Sequence, residues 1–431
     1  MNRRRALKAL VGGTAAGWGA FHLPLAHADD YTGKLFVFVQ ADGGWDPTSF
    51  CDPKTNVPGE PVINHWAERG TTQEAGGIRY APFADNAAFF RKYHRRMLVI
   101  NGVDAQTNSH TVGVTHNWSG RNAEGFPTMT ALLAAHHSPD MPLNYLNFGG
   151  FSATGGVTRF TRLADAGRIR ALAYANRVHG NEELLRPSEW STLQRYRARR
   201  ITRLNEAPGL LPRPARNRRH YQSALSPAST EGLKRYAEAL PPDDQLEQNV
   251  QYAYDGDTFH NGLRRQAQLS VLAFKTGIAV SADLFLSGFD THRSNDAKQG
   301  WLLGALTGSV DYLWEYAERH GIADRLVVVI GSDFGRTNHY NAEDGKDHWP
   351  IGSFVVMEKN QPWTGRTIGE TDDLHFAQKI NPTTLERDDT QGTIIYPKHV
   401  HRALRSYLGL EDSPLAAAFP FHNTEDFRFF G

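Results

Sequence analysis

The chain has 431 residues, 40% of them hydrophobic and 22% charged, with a formal net charge of +1. That length can bury a sizeable core, and the near-neutral charge gives no electrostatic footprint for a nucleic-acid partner. The lone cysteine, Cys51, excludes an intrachain disulfide and a cysteine-based zinc site, so any metal chemistry rests on the 19 histidines and 46 acidic residues.

The N-terminus carries Arg3-Arg4-Arg5, a mild apolar stretch from Ala9 to Leu25, then Ala26-His27-Ala28. A basic start, a Gly/Ala-rich core and an A-x-A end describe an export signal, and paired arginines ahead of a weakly hydrophobic core read as a twin-arginine address. The expectation is a signal at 1–28 read by the Tat export machinery, a periplasmic product, and one domain over 29–431.

Leu35 to Val39 is an apolar run without polar alternation, which predicts a strand buried on both faces of a parallel sheet. It opens into the glycine turn Asp42-Gly43-Gly44-Trp45-Asp46. One of Asp42 and Asp46 is a candidate metal ligand and the other a turn cap; the sequence does not separate them. Arg96 to Ile100 predicts a second strand, followed by the polar stretch from Gln106 to Arg121. Ser109, a hydroxyl after a buried strand with His110 beside it, is the candidate nucleophile, and helix capping is its competing role. A helix is predicted over Pro127 to His137.

The middle of the chain differs. Between Gln194 and His220 lie nine arginines interleaved with Tyr and Leu and interrupted by prolines. This predicts a helical insertion around 185–250 that begins with a basic amphipathic helix. It is either a solvated face or a surface that recruits anions or contacts acidic lipid.

Asp283 to Leu286, an amphipathic helix over Trp301 to Arg319, and the run Leu326 to Ile330 together make a βαβ unit. Polar clusters follow the strands at their carboxyl ends, where open α/β sheets bind ligands. They are Asp290-Thr291-His292, Ser332-Asp333-Phe334-Gly335-Arg336-Thr337 and Asp347-His348-Trp349-Pro350. Bunched carboxylates and imidazoles need a compensating charge, and one or more divalent cations, zinc, manganese or calcium, would supply it. Asp290, His292, Asp333, Asp347 and His348 are the candidate ligands, while Arg336 either braces its loop or meets an anionic group. A closing helix is predicted over Lys398 to Leu408, with Phe419, Phe421 and Phe427 docking behind it. There is no GxSxG elbow, P-loop, HExxH or GxGxxG.

Gly43-Gly44-Trp45-Asp46 with Asp52-Pro53-Lys54, Ser109-His110, Asp290-Thr291-His292, the Phe-Gly-Arg-Thr block and Lys346-Asp347-His348-Trp349-Pro350 resemble an exported bacterial family known as domain of unknown function fifteen-oh-one. It is related to the alkaline phosphatase and sulfatase superfamily. The resemblance implies an α/β, three-layer sandwich with a mainly parallel central sheet, and hydrolysis of a small anionic phosphate or sulfate ester. It puts the first-strand carboxylate on Asp42 or Asp46, the nucleophile on Ser109, one metal on Asp290 and His292, and another on Asp333 with Asp347 or His348. This chain departs from the superfamily in having Asp290-Thr-His292 and Asp333-Phe334 where Asp-x-x-x-His and Asp-His are common. The alternative is a non-catalytic binding or assembly protein with a degenerate site.

Overall fold

The computed structural model describes residues 31–159, 161–163, 166–178, 182–206 and 212–431. The predicted signal at 1–28 lies outside them. In chain order the main elements are β1 (Leu35–Asp42), β2 (Met97–Asp104), α1 (His110–Ser119), α2 (Met129–His137), β3 (Tyr145–Asn147), β4 (Thr161–Arg162), α3 (Pro187–Glu206), α4 (Pro212–Ala224) and α5 (Pro227–Ala239). They continue with α6 (Leu263–Lys275), β5 (Ser281–Ser287), α7 (Asn295–Arg319), β6 (Leu326–Ser332), β7 (Ile351–Met357), β8 (Arg366–Ile368) and α8 (Pro397–Tyr407).

Eight strands form one sheet in the order β8-β2-β7-β6-β1-β5-β3-β4. Every neighbouring pair is parallel except the two made by β7. The fold is therefore α/β with a mainly parallel central sheet. The central strands explain why their sequences do not alternate: β6 is buried at every position and β1 at all but its last. On one face Phe38 of β1 packs on Trp118 of α1 and His401 of α8. α6 and α7 pack together, with α6 against β5.

The βαβ unit forms as β5-α7-β6, with β1 inserted between its two strands. β7 has no counterpart among the sequence expectations, which pass from the cluster ending at Pro350 to the closing helix at Lys398. Phe427 and Phe429 are buried at the C-terminus, while Phe419 is half-buried.

Register places the chemistry. Asp42 pairs with Ser287, and Ala41 with Ser332, so β1, β5 and β6 all end at one sheet edge. Antiparallel β7 begins there, with Ile351 opposite Asp104 at the end of β2. The segments carrying Ser109, Asp290, Asp333 and His348 consequently open together, although they lie far apart in sequence.

Candidate metal centre

The turn after β1 is shaped by Gly43 and Gly44, at φ +115° and +86°, in the left-handed region that favours glycine. A Cβ on Gly43 would also lie 2.5 Å from the Asp290 amide nitrogen. This conformation turns both backbone N–H groups onto Asp333 Oδ1, at 2.9 and 2.7 Å. Ser332 Oγ donates to the same oxygen at 3.0 Å. The second oxygen of the buried Asp333 carboxylate accepts from His110 Nδ1 at 2.5 Å.

His110 is one of three imidazoles held alike. His292 Nδ1 meets Asp347 Oδ1 at 2.7 Å, and His348 Nδ1 meets the Asn108 carbonyl at 2.8 Å. An oxygen acceptor on Nδ1 requires a proton there, which leaves each neutral ring's Nε2 as a lone pair. All three Nε2 atoms approach Asp290 Oδ1: His292 at 3.0 Å, His348 at 3.2 Å and His110 at 3.4 Å. The His292 and His348 Nε2 atoms lie 3.0 Å from each other, and the buried His110 Nε2 has no hydrogen-bond partner.

With neutral rings, these are acceptors facing acceptors, and a cation among them removes the conflict. Metal–nitrogen bonds of roughly 2.0–2.1 Å in a tetrahedron put donor atoms about 3.3 Å apart, close to the spacing seen here. His110, Asp290 and His348 offer ligand atoms all within 4.8 Å of one another, and His292 extends that group through Asp290 and His348. The residues fit a divalent transition metal. Oxygen-anchored Nδ1 atoms are also how metal-bound histidines are usually oriented.

Charge is shared unevenly. The carboxylates of Asp290 and Asp333, one facing each ring nitrogen, push His110 up to about 9, so without a cation the ring holds a second proton. Partial burial opposes ionisation of Asp290, but His110 and Arg336 hold its carboxyl far below the usual range. Burial, then the Asp333 charge, pushes half-buried Asp42 up to about 6. For Asp347 the His292 hydrogen bond lowers the pKa, whereas burial lowers that of His348.

Several sequence expectations are corrected. Asp46 stands outside the cluster: its Oδ2 pairs with buried Lys346 Nζ at 2.8 Å and its Oδ1 caps the turn at Thr48. Asp42 is thus the member of that pair on the site side. Both oxygens of Asp333 are engaged, one by the Gly43 and Gly44 amides and the other by His110, while Asp347 holds His292 Nδ1 through its Oδ1. His110, expected beside a nucleophile, belongs to the donor group. Arg336 is fully buried and donates to the Gly44 carbonyl at 2.8 Å, to the Gly43 and Lys346 carbonyls, and to Asp290 Oδ1 at 2.8 Å. It braces the site and does not offer itself to a substrate. Ser109 is exposed at the N-cap of α1 and its side chain makes no capping bond.

A family model described as "Protein of unknown function (DUF1501)" matches residues 33–397. The chain belongs to that family. No curated protein matches the sequence significantly. Among solved structures, the chain is similar to a glycosaminoglycan-metabolism protein of Bacteroides thetaiotaomicron, at 8% identity and a TM-score of 0.41 over 93% of this chain and 77% of that one. It is also similar to the lipoteichoic acid synthase LtaP of Listeria monocytogenes, at 10% identity and a TM-score of 0.34 over 93% and 75%. For a TAB5 alkaline phosphatase variant with Mg bound the values are 8% and 0.31 over 75% and 91%. Likeness this distant leaves the chemistry to be argued from the site's own residues.

Proposed function

We propose that this DUF1501 protein is an exported, metal-dependent hydrolase of small phosphate or sulfate esters. The observation that carries the reading is the convergence of three Nδ1-anchored imidazoles on one oxygen of Asp290. His110, His292, His348 and Asp290 would hold the cation, and a donor set rich in imidazole favours zinc or iron over manganese and calcium, which suit oxygen ligands. The bound cation would act as a Lewis acid toward a negatively charged ester.

The chain's own groups supply the rest. Ser109 Oγ, exposed and uncommitted, is the attacking hydroxyl. It stands at the N-terminus of α1, where free backbone N–H groups and the helix dipole favour an anion. Half-buried Asp42, at the end of β1 on the site side, would serve as the proton acceptor. The Tat signal at 1–28, the periplasmic location and a single domain over 29–431 belong to the same proposal. Among the described residues, no helix is long and apolar enough to cross a membrane.

A phosphomonoester, phosphodiester and sulfate ester panel tests it. Turnover should appear with one ester class and fall on the order of a thousandfold or more in Ser109→Ala. A second reading, a non-catalytic binding or assembly protein, draws on Arg336, whose guanidinium already meets Asp290 Oδ1. Turnover unaffected by Ser109→Ala on every ester would favour it.

A further inference from the structure

The basic middle segment is not absorbed by the site. α3 and α4 together carry nine arginines against two glutamates, a net +7 in a chain whose total is +1, so the remaining residues sum to −6. α3 is a 20-residue helix with no buried position among those whose side chains are described. It leans on α4. Trp190, Arg197 and Ile201 are half-buried along one stripe at i, i+7 and i+11. The adjoining stripe is exposed and reads Leu193, Tyr196, Arg200, Leu204, at i, i+3, i+7 and i+11.

That stripe mixes cations with bare apolar side chains. Leu193 is 40% exposed, Tyr196 64% and Leu204 37%, with Leu184 and Tyr221 also bare nearby in sequence. Half of the exposed large hydrophobic residues of the described chain fall in this short segment. A solvated charge run needs no such side chains, and a soluble polyanion would not reward exposing them. A surface that is anionic outside and apolar just beneath rewards both. Arginine heads then sit among headgroup phosphates while Leu and Tyr enter the acyl boundary. We propose that the exposed face of α3, supported by α4, docks the protein on an anionic lipid bilayer, lying in the interface and not spanning it. This inference does not depend on the metal centre or on ester hydrolysis.

The test is co-sedimentation of the purified protein with phosphatidylcholine vesicles, with and without roughly a quarter phosphatidylglycerol. Binding should require the anionic lipid and be lost when salt is raised to about 0.5 M. Arg200→Glu/Arg203→Glu should weaken it about tenfold or more, and Leu193→Ala/Tyr196→Ala/Leu204→Ala about threefold or more. Melting temperature and metal content serve as fold controls, since all five side chains face solvent. Failure of the unaltered protein to bind anionic vesicles would overturn the proposal. So would binding that polyphosphate competes away while the apolar variant binds as well as the parent, because the surface would then read soluble polyanions.

Discussion

Asp333 is the residue on which the most depends, because it joins the first turn to the first imidazole. One oxygen gathers the Gly43 and Gly44 amides, and the other fixes a proton on His110 Nδ1. In Asp333→Asn the carbonyl oxygen can keep the amides, which turns the side-chain NH2 toward His110. Nδ1 must then accept, the ring proton moves to Nε2, and the lone pair aimed at Asp290 is lost. Metal affinity should fall about 10–100-fold with little loss of melting temperature, as competition with a chelating dye would show; unchanged affinity would remove Asp333 from this role. This pairing was beyond reach from sequence, since the partners are 223 positions apart. The Asp42 and Asp46 choice was hidden for a related reason. Both flank the same glycines, and only the left-handed turn, together with Lys346 arriving from a distant loop, sends one carboxylate into the ion pair.

At the scale of elements, the site depends on how closely α1 approaches the end of β6. Gly113 lies on that contact: a Cβ there would fall 2.6 Å from the Asp333 carbonyl oxygen and 2.9 Å from its Cβ. Gly113→Val should push α1 outward, costing about 1–3 kcal/mol of stability and moving His110 away from Asp290. Urea unfolding and metal titration on the same samples check both; a variant equal to the parent in each would show that α1 does not need this approach. β1, β2, β5, β6 and α7 were readable because buried strands and a long amphipathic helix leave strong apolar patterns. β7 was not, although Phe354 to Met357 is apolar: the run is short and follows a polar loop, and its direction is set by pairing with β2 and β6. The convergence of strand ends could be anticipated from parallel-sheet rules, whereas the particular donor atoms could not.

The whole molecule carries an acid liability. His116, His375, His399 and His401 are buried, and burial pushes them down to about 4, 4, 4 and 3. His375 has no hydrogen-bond partner at either ring nitrogen. Each stays neutral in the fold, while the unfolded chain takes up protons below about 6.5. Their contribution is therefore fully present above pH 6.5 and declines as pH falls toward 4, by up to about 1.4 kcal/mol per pH unit for each group. Thermal melts of chelator-stripped protein should drop steeply between about pH 6.5 and pH 4.5. A flat profile there would mean that these rings are already accessible to solvent protons.

The most direct measurement is elemental analysis of the purified, folded protein beside an Asp290→Ala/His348→Ala variant confirmed as folded. About one or more equivalents of zinc or iron per chain should be present in the parent and lost in the variant. A folded parent protein that stays metal-free when offered these ions, or a variant that keeps its metal in full, would contradict it.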